Sequence, residues 1–344
     1  MKTYIIGEIG QNHNGSVDYA KLIVDIVARP VVDKLFGEKL HVIDAVKLTK
    51  RDLKYELSNS QMAKPYISPH SFGKTYGEHR SFLELNDEQH YEIYKYAKSQ
   101  NLDFVETLCA PSCLSILKFF TPDRLKVASR DLTNLPLLEK MAETKIPMIL
   151  STGMAGKKEL DDALSVIVKY HENISILHCV SEYPTQYKNV NLKTILYLKK
   201  TYPKYTIGYS DHTIGISMPV AAVAMGAEII EKHITIDRNM KGTDQAGSLA
   251  IDGIYRMTRD LRNLEIAFGN EDIFICNDVK SSREKLERSI ATLSSLKSGH
   301  IITENDVHML SPGDGFKWIE KDLVIGRILK KDIEANEIIY PEFI

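Results

Sequence analysis

Eight short apolar or β-branched runs alternate with longer amphipathic stretches through the first two-thirds of the sequence, and this rhythm constrains the fold more than any other feature. The runs are Thr3 to Glu8, Val42 to Leu48, Leu102 to Leu108, Arg124 to Ser129, Pro147 to Thr152, Ile174 to Cys179, Thr206 to Ser210 and Glu228 to Thr235. Between them, Asp87 to Ser99, Leu135 to Thr144, Lys157 to Tyr170 and Met218 to Met225 carry helical periodicity. Strands separated by helices pair in parallel through crossover connections, and eight of them are the number that closes a barrel. An open doubly wound sheet shares the alternation, but no GxGxxG follows the first run. The expected fold class is α/β, a (β/α)8 TIM barrel.

The chain has 344 residues, whereas such a barrel takes about 250. After a predicted helix at Gly253 to Phe268 the texture changes. A charged stretch at Asn277 to Glu284 is followed by short β-like runs at Ser289 to Leu296, Ile301-Ile302, Leu323 to Ile325 and Ile338-Ile339 between Gly, Pro and Asp turns. The expected organisation is a barrel over 1–270, a linker over 271–282 and a small β-rich domain over 283–344. Thr49 to Glu84 breaks the barrel's rhythm. It is polar and too long for an ordinary connection, so it reads as a functional lid or binding loop, or else as a disordered segment.

A hydrophobic content of 43% with 26% charged residues and a net charge of −2 describes a globular protein with an ample core and gives no sign of a nucleic-acid partner. Four cysteines without CxxC spacing argue against a disulfide framework or structural zinc. Glu8 and Gln11 interrupt the first apolar run too early for a signal-peptide core, and no later run reaches membrane-spanning length. A cytoplasmic protein without a membrane partner is expected.

His212 and His233 each end an apolar run, and strand ends on one side of a barrel mouth converge. Two imidazoles with open positions describe a Lewis-acid site for a divalent ion; alternatively, each histidine satisfies a loop carbonyl. His178 is a weaker third ligand candidate, and Asp211 and Glu231 can orient the ligands, although Glu231 can equally be an ion-pair partner. Lys47 and Lys126 sit within barrel runs, where a buried cation needs an anion. That anion is either a substrate phosphate or carboxylate, or an internal partner such as Glu8, Glu106 or Asp131. Ser129, Ser151, Thr152, Ser181 and Ser210 fall at run ends, where hydroxyls beside two lysines can cradle phosphate. Glu8, with Gln11-Asn12-His13-Asn14-Gly15, places a carboxylate and polar groups at the first run's exit, able to bind hydroxyls or take a proton.

These segments resemble the sialic acid (N-acetylneuraminate) synthases and related nonulosonic acid synthases. The resemblance is carried by Gly7-Glu8-Ile9-Gly10-Gln11-Asn12-His13, Ala45-Val46-Lys47, Lys126-Val127-Ala128-Ser129, Leu150-Ser151-Thr152-Gly153-Met154, His178-Cys179 with Tyr183-Pro184-Thr185, Gly208-Tyr209-Ser210-Asp211-His212-Thr213, Glu231-Lys232-His233 and Lys241-Gly242-Thr243-Asp244. Gly73-Lys74-Thr75-Tyr76-Gly77-Glu78-His79-Arg80 looks like the animal-type branch, whose members use 6-phosphorylated sugars, and the tail from about Ser282 resembles the antifreeze-like (SAF) domain.

The resemblance implies condensation of phosphoenolpyruvate with an aldose, N-acetylmannosamine or mannose, free or as the 6-phosphate, with release of phosphate. It implies a divalent Mn2+ or Mg2+ on His212 and His233. Phosphoenolpyruvate would be held by Lys47, Lys126, Ser129, Ser151, Ser181 and Ser210, and the sugar or its protons by Glu8, Tyr183 and Asp244, with Asp131 and Glu231 as further catalytic carboxylates. A domain-swapped homodimer is implied as well. Asp131 stands where relatives have glutamate, Asp244-Gln245 where they have Asp-His, and Ser311-Pro312-Gly313 where many bacterial members have Arg-Pro-Gly. The competing expectations are a metal-dependent pyruvate aldolase and a non-catalytic binding barrel.

Overall fold

A computed structural model describes residues 2–32, 37, 39–40 and 43–344. Eight parallel strands close into a barrel: β1 Tyr4–Gly10, β2 Ala45–Lys50, β3 Asp103–Leu108, β4 Arg124–Val127, β5 Met148–Ser151, β6 Ile174–Cys179, β7 Thr206–Asp211 and β8 Ile229–His233. Each pairs with its sequence neighbours, and β1 joins β8 to complete the ring. Every expected run overlaps one of these strands. Val42 lies outside the described residues. Several ends differ from expectation: β1 runs on to Gly10 and β2 to Lys50, two residues past the expected runs, whereas Ser129 belongs to a 3₁₀ turn, Ser129–Asp131, and Thr235 lies beyond β8.

The period of two along each strand decides what enters the barrel. Ile6, Ala45, Val105, Ile149, Leu177 and Ile229 form a separate apolar cluster in the interior, and the larger core lies between strands and helices. Gly208 completes that inner layer, because a Cβ there would meet Leu177 Cδ2 at 2.5 Å and the Ile229 carbonyl at 2.6 Å. Two residues further along the same strands stand Glu8, Lys47, Thr107, Ser151, Cys179, Ser210 and Glu231. A polar layer therefore sits on the apolar one at the strands' C-terminal ends, where barrel sites form.

The helices pack around this ring. Asp87–Ser99 begins with a capping box between Asn86 and Gln89 and buries His90, Ile93 and Ala97 at helical spacing. Val17–Ala28, capped by Ser16 and burying Ala20, Ile23, Val24 and Val27, was not among the sequence expectations. Thr49 to Glu84 is not the structureless loop it resembles: it contains short helices at Leu53–Glu56 and Asn59–Met62 and a longer one at Tyr76–Leu83, started by a Thr75–Glu78 capping box.

Contacts divide the chain between Gly269 and Asn270. In the second unit Ser289–Thr292 pairs antiparallel with Val307–Leu310 around a core of Ile290, Ile302, Val324, Leu329 and Ile339. Lys280–Leu286 is helical where a charged linker was expected, and Leu323 ends a 3₁₀ helix, Trp318–Leu323, rather than entering a strand. The architecture is a TIM barrel followed by a small domain with a two-stranded sheet. Among the described residues no helix is long and apolar enough to cross a membrane.

Candidate active site

A cavity of about 420 Å³ opens at the C-terminal end of the barrel. Its lining includes Glu8, Lys47, Lys126, Ser129, Ser151, Ser181, Tyr183, Ser210, His212, Glu231, His233 and Asp244. Asp131 is not in the lining. The 3₁₀ turn carries it away from the mouth, where it pairs with Arg130 at 3.3 Å, and burial raises its pKa.

Two lysines and two glutamates occupy the cavity floor. Lys47 forms an ion pair with Glu8, lies 3.6 Å from Glu231 and donates to Thr107 Oγ1 at 3.0 Å. The internal-pairing alternative therefore holds for Lys47 with Glu8. Of the other partners considered, Glu106 faces outward to His90 at 3.0 Å because it is out of phase with the inner layer, and Asp131 pairs with Arg130. Lys126 is bound differently. Its ammonium donates to Ser151 Oγ at 2.6 Å and to the Val127 carbonyl at 3.0 Å, with Glu231 at 3.8 Å. Its charge is the less compensated of the two, and burial lowers its pKa. Burial likewise pushes Glu8 up to about 7, helped by Glu231 and opposed by Lys47. For Glu231 burial works upward too, but Lys126 and Lys47 prevail and hold it below the usual range. One carboxylate is thus poised to exchange a proton near neutral pH while its neighbour stays ionised.

Beside Lys126, the Gly153 N–H donates to Ser129 Oγ at 3.0 Å, and the Ser181 N–H donates to the Gly153 carbonyl at 3.3 Å. A Cβ on Gly153 would lie 2.4 Å from Ser181 Oγ and 2.8 Å from both Ser129 Oγ and Cys179 Sγ. Only glycine lets these groups and Lys126 close into one cradle.

His212 and His233 continue the inward series from Ser210 and Glu231 by one more two-residue step. Their ring centroids are 5.6 Å apart, and the Tyr183 ring leans on His212 at 4.1 Å. His212 Nδ1 donates to the Val180 carbonyl at 2.9 Å, so in the neutral ring the lone pair is on Nε2; burial works against the charged form, but the Cys179 thiol and the Val180 carbonyl prevail and hold the pKa above the usual histidine value. Burial drives His233 down to about 4, so it is neutral at physiological pH, and its Nδ1 is buried with no hydrogen-bond partner. In its neutral form each imidazole offers a free nitrogen, which suits a divalent ion whose other positions come from water or substrate. Among the described residues no set of three or more His, Cys, Asp or Glu side chains forms a closed metal cage.

Strand parity also sorts the weaker candidates. His178 points outward, with Nε2 2.6 Å from the Val190 carbonyl, and does not join the histidine pair. Asp211 points outward as well and binds Lys232, Thr213 and the Tyr209 hydroxyl rather than orienting His212. Thr152 donates to the Leu177 carbonyl at 3.2 Å. Gln245 is fully buried and donates to the Asn12 carbonyl at 3.2 Å, so this departure from the family pattern is structural. Ser311, in the second unit, donates to the Leu286 carbonyl at 2.9 Å. Sequence reasoning missed Thr107 and Cys179, which the inward parity predicts, and Arg51, Tyr66, Tyr76, His79, Arg80 and Arg130, for which no periodic signal exists.

The sequence pattern of the NeuB family matches residues 39–272, and that of the SAF domain matches residues 287–344. The chain is 32% identical over 343 residues to N-acetylneuraminate-9-phosphate synthase of Homo sapiens, covering 99% of this chain and 92% of that one. It is 31% identical over 341 residues to N,N'-diacetyllegionaminic acid synthase of Campylobacter jejuni, covering 98% and 99%. Among solved structures, the N-acetylneuraminic acid (sialic acid) synthetase of Leptospira borgpetersenii in complex with citrate superposes with a TM-score of 0.66 at 29% identity, over 82% of this chain and 90% of that one.

Proposed function

The chain belongs to the NeuB family of condensing synthases, and on that premise we propose that it joins phosphoenolpyruvate to N-acetylmannosamine or mannose, free or as the 6-phosphate, or to a related aldose. The product would be a nonulosonic acid of the sialic acid type plus inorganic phosphate. The observation that carries this reading is the cradle of Lys126, Ser129, Ser151 and Ser181 in one cavity with a half-buried histidine pair. An undercompensated ammonium among convergent hydroxyls is what a phosphate ester needs.

His212 and His233 would hold Mn2+ or Mg2+, which when bound supplies Lewis-acid polarisation of the sugar aldehyde. Lys126 and the serine hydroxyls bind the enol phosphate and orient C3 towards the aldehyde carbon. C3 attacks that carbon, water captures the cation left at C2, and the C–O bond to phosphate breaks. Glu8, with its pKa near 7, accepts the proton of the attacking water or returns one to the new alkoxide. Glu231 stays ionised and keeps both lysines in place, while Tyr183 and Asp244 contact the sugar. The same reading includes a cytosolic enzyme working as a homodimer with exchanged SAF domains.

The experiment is phosphate release from phosphoenolpyruvate with a divalent ion and a panel of aldoses. Aldose-dependent release supports the reading. Condensation from pyruvate without phosphate release would establish the aldolase alternative.

A further inference from the structure

His79 belongs to the helix Tyr76–Leu83, within the segment that sequence periodicity leaves unassigned, and it lines the cavity although only 1% exposed. Its Nδ1 accepts the backbone N–H of Phe72 at 3.1 Å. An imidazole nitrogen that accepts a hydrogen bond carries no proton, so in the neutral ring the proton is on Nε2. Among the described residues that N–H has no partner. The ring is held from both sides, 4.7 Å from the Tyr66 ring and 5.9 Å from the Phe72 ring, to which it is inclined by only 12°. Burial, reinforced by Arg80 and Lys241 and opposed by Asp244, keeps it below the usual histidine range. The neighbouring Arg80 is tied to Gln11 Oε1 at 2.6 Å and to the Tyr76 hydroxyl, which fixes this wall of the cavity.

Stacking and the bond to Phe72 need only one nitrogen of this ring. The ring is almost wholly buried, and its Nε2–H, which no protein group accepts, is the part left open to the cavity, where water or a ligand oxygen can accept from it. The cradle of Ser129, Ser151 and Ser181 hangs from β4, β5 and β6, whereas Gln11, to which the neighbouring Arg80 is tied, and Asp244, whose charge acts on His79, follow β1 and β8 across the ring. The phosphate-binding side is therefore not the side His79 serves.

We propose that the Nε2–H of His79 donates a hydrogen bond to an uncharged oxygen of the acceptor aldose, making His79 a specificity-determining residue. The inference rests on the condensation proposed above. The oxygen belongs either to a ring hydroxyl or to an N-acyl carbonyl, and this donor reads the acceptor from within the barrel.

The test compares His79→Asn, His79→Gln and His79→Phe with the wild type, varying each substrate in turn. The Asn side chain can place an acceptor near the position of Nδ1 and keep the Phe72 bond; the Gln side chain can place an N–H near the position of Nε2. His79→Asn and His79→Phe should raise the KM for aldose by about 10- to 100-fold, with the KM for phosphoenolpyruvate within about twofold of wild type, and His79→Gln should recover most of the loss. An effect seen with N-acetylmannosamine but not mannose assigns the oxygen to the acyl group; an equal effect assigns it to a hydroxyl. Recovery by Asn but not by Gln, or an unchanged aldose KM in all three, overturns the proposal. Wild-type protein labelled with 15N-histidine supplies a check that needs no variant to fold: aldose, and not phosphoenolpyruvate alone, should shift the His79 Nε2 resonance, and no shift on saturation overturns the proposal. If the wild type releases no phosphate with any aldose, the condensation reading falls while this titration still decides His79.

Discussion

Replacing Gly153 by alanine places one methyl group inside the proposed phosphate cradle. Its carbon would stand 2.4 Å from Ser181 Oγ and 2.8 Å from Ser129 Oγ and Cys179 Sγ, all closer than carbon and these atoms can approach. Each crowding atom is a side-chain tip, so the fold can respond by turning the tips away, at about 0.5 to 1.5 kcal/mol for each strained rotamer. Stability should fall modestly, by a few degrees in Tm for a chain of this size. Binding suffers more, because a turned hydroxyl no longer faces the phosphate, and a hydrogen bond to a charged group contributes about 1.5 to 3 kcal/mol. Losing one of them costs about 1.5 to 3 kcal/mol, which is about 10- to 150-fold in kcat/KM for phosphoenolpyruvate. The KM for aldose should change by no more than a few-fold. Steady-state phosphate release with each substrate varied, alongside thermal unfolding, decides it. Normal phosphoenolpyruvate kinetics in a variant of normal Tm would refute the cradle.

His212→Ala and His233→Ala should each abolish turnover and lower bound metal; full metal occupancy with normal activity in either variant would remove that histidine from the metal site. Lys126→Met should raise the KM for phosphoenolpyruvate well above any change for the sugar, because the anion loses its counter-charge; unchanged KM and kcat would make Lys126 structural. Glu84 tests the electrostatics away from the chemistry. Burial, with Glu56 nearby, pushes it from 4.5 up to about 7 against the pull of Arg51. Its folded pKa lies above the unfolded one, so its stabilising contribution is present below pH 4.5 and is lost as pH rises to about 7. Glu84→Gln should match the wild type near pH 4 and gain stability over that window, levelling off above it at roughly 3 kcal/mol at most. A Tm difference that stays flat with pH would contradict this assignment.

The sequence by itself determined the barrel and the residues that face into it. Six of the eight strands carry an apolar inner residue followed two positions later by a more polar one, so Ile6 leads to Glu8, Ala45 to Lys47 and Ile229 to Glu231, then His233. The same parity turns His178 and Asp211 outward, against their reading as possible ligand or ligand-orienting groups. Strand geometry fixes this because side chains alternate whatever the rest of the fold does. Only the tertiary structure decided which charges meet. Nothing local to Lys47 or Lys126 says that the first is neutralised by Glu8 while the second is left to Ser151 and a distant Glu231. Ring closure between β1 and β8 creates those distances. The wall carrying His79 and Arg80 is likewise a tertiary product. Its helices are short and weakly periodic, and they are placed by contacts with Gln11 and with the Tyr66 and Phe72 rings. Marginal helices of that length owe their order to packing against residues far away in sequence, and such packing leaves no periodic trace in the chain.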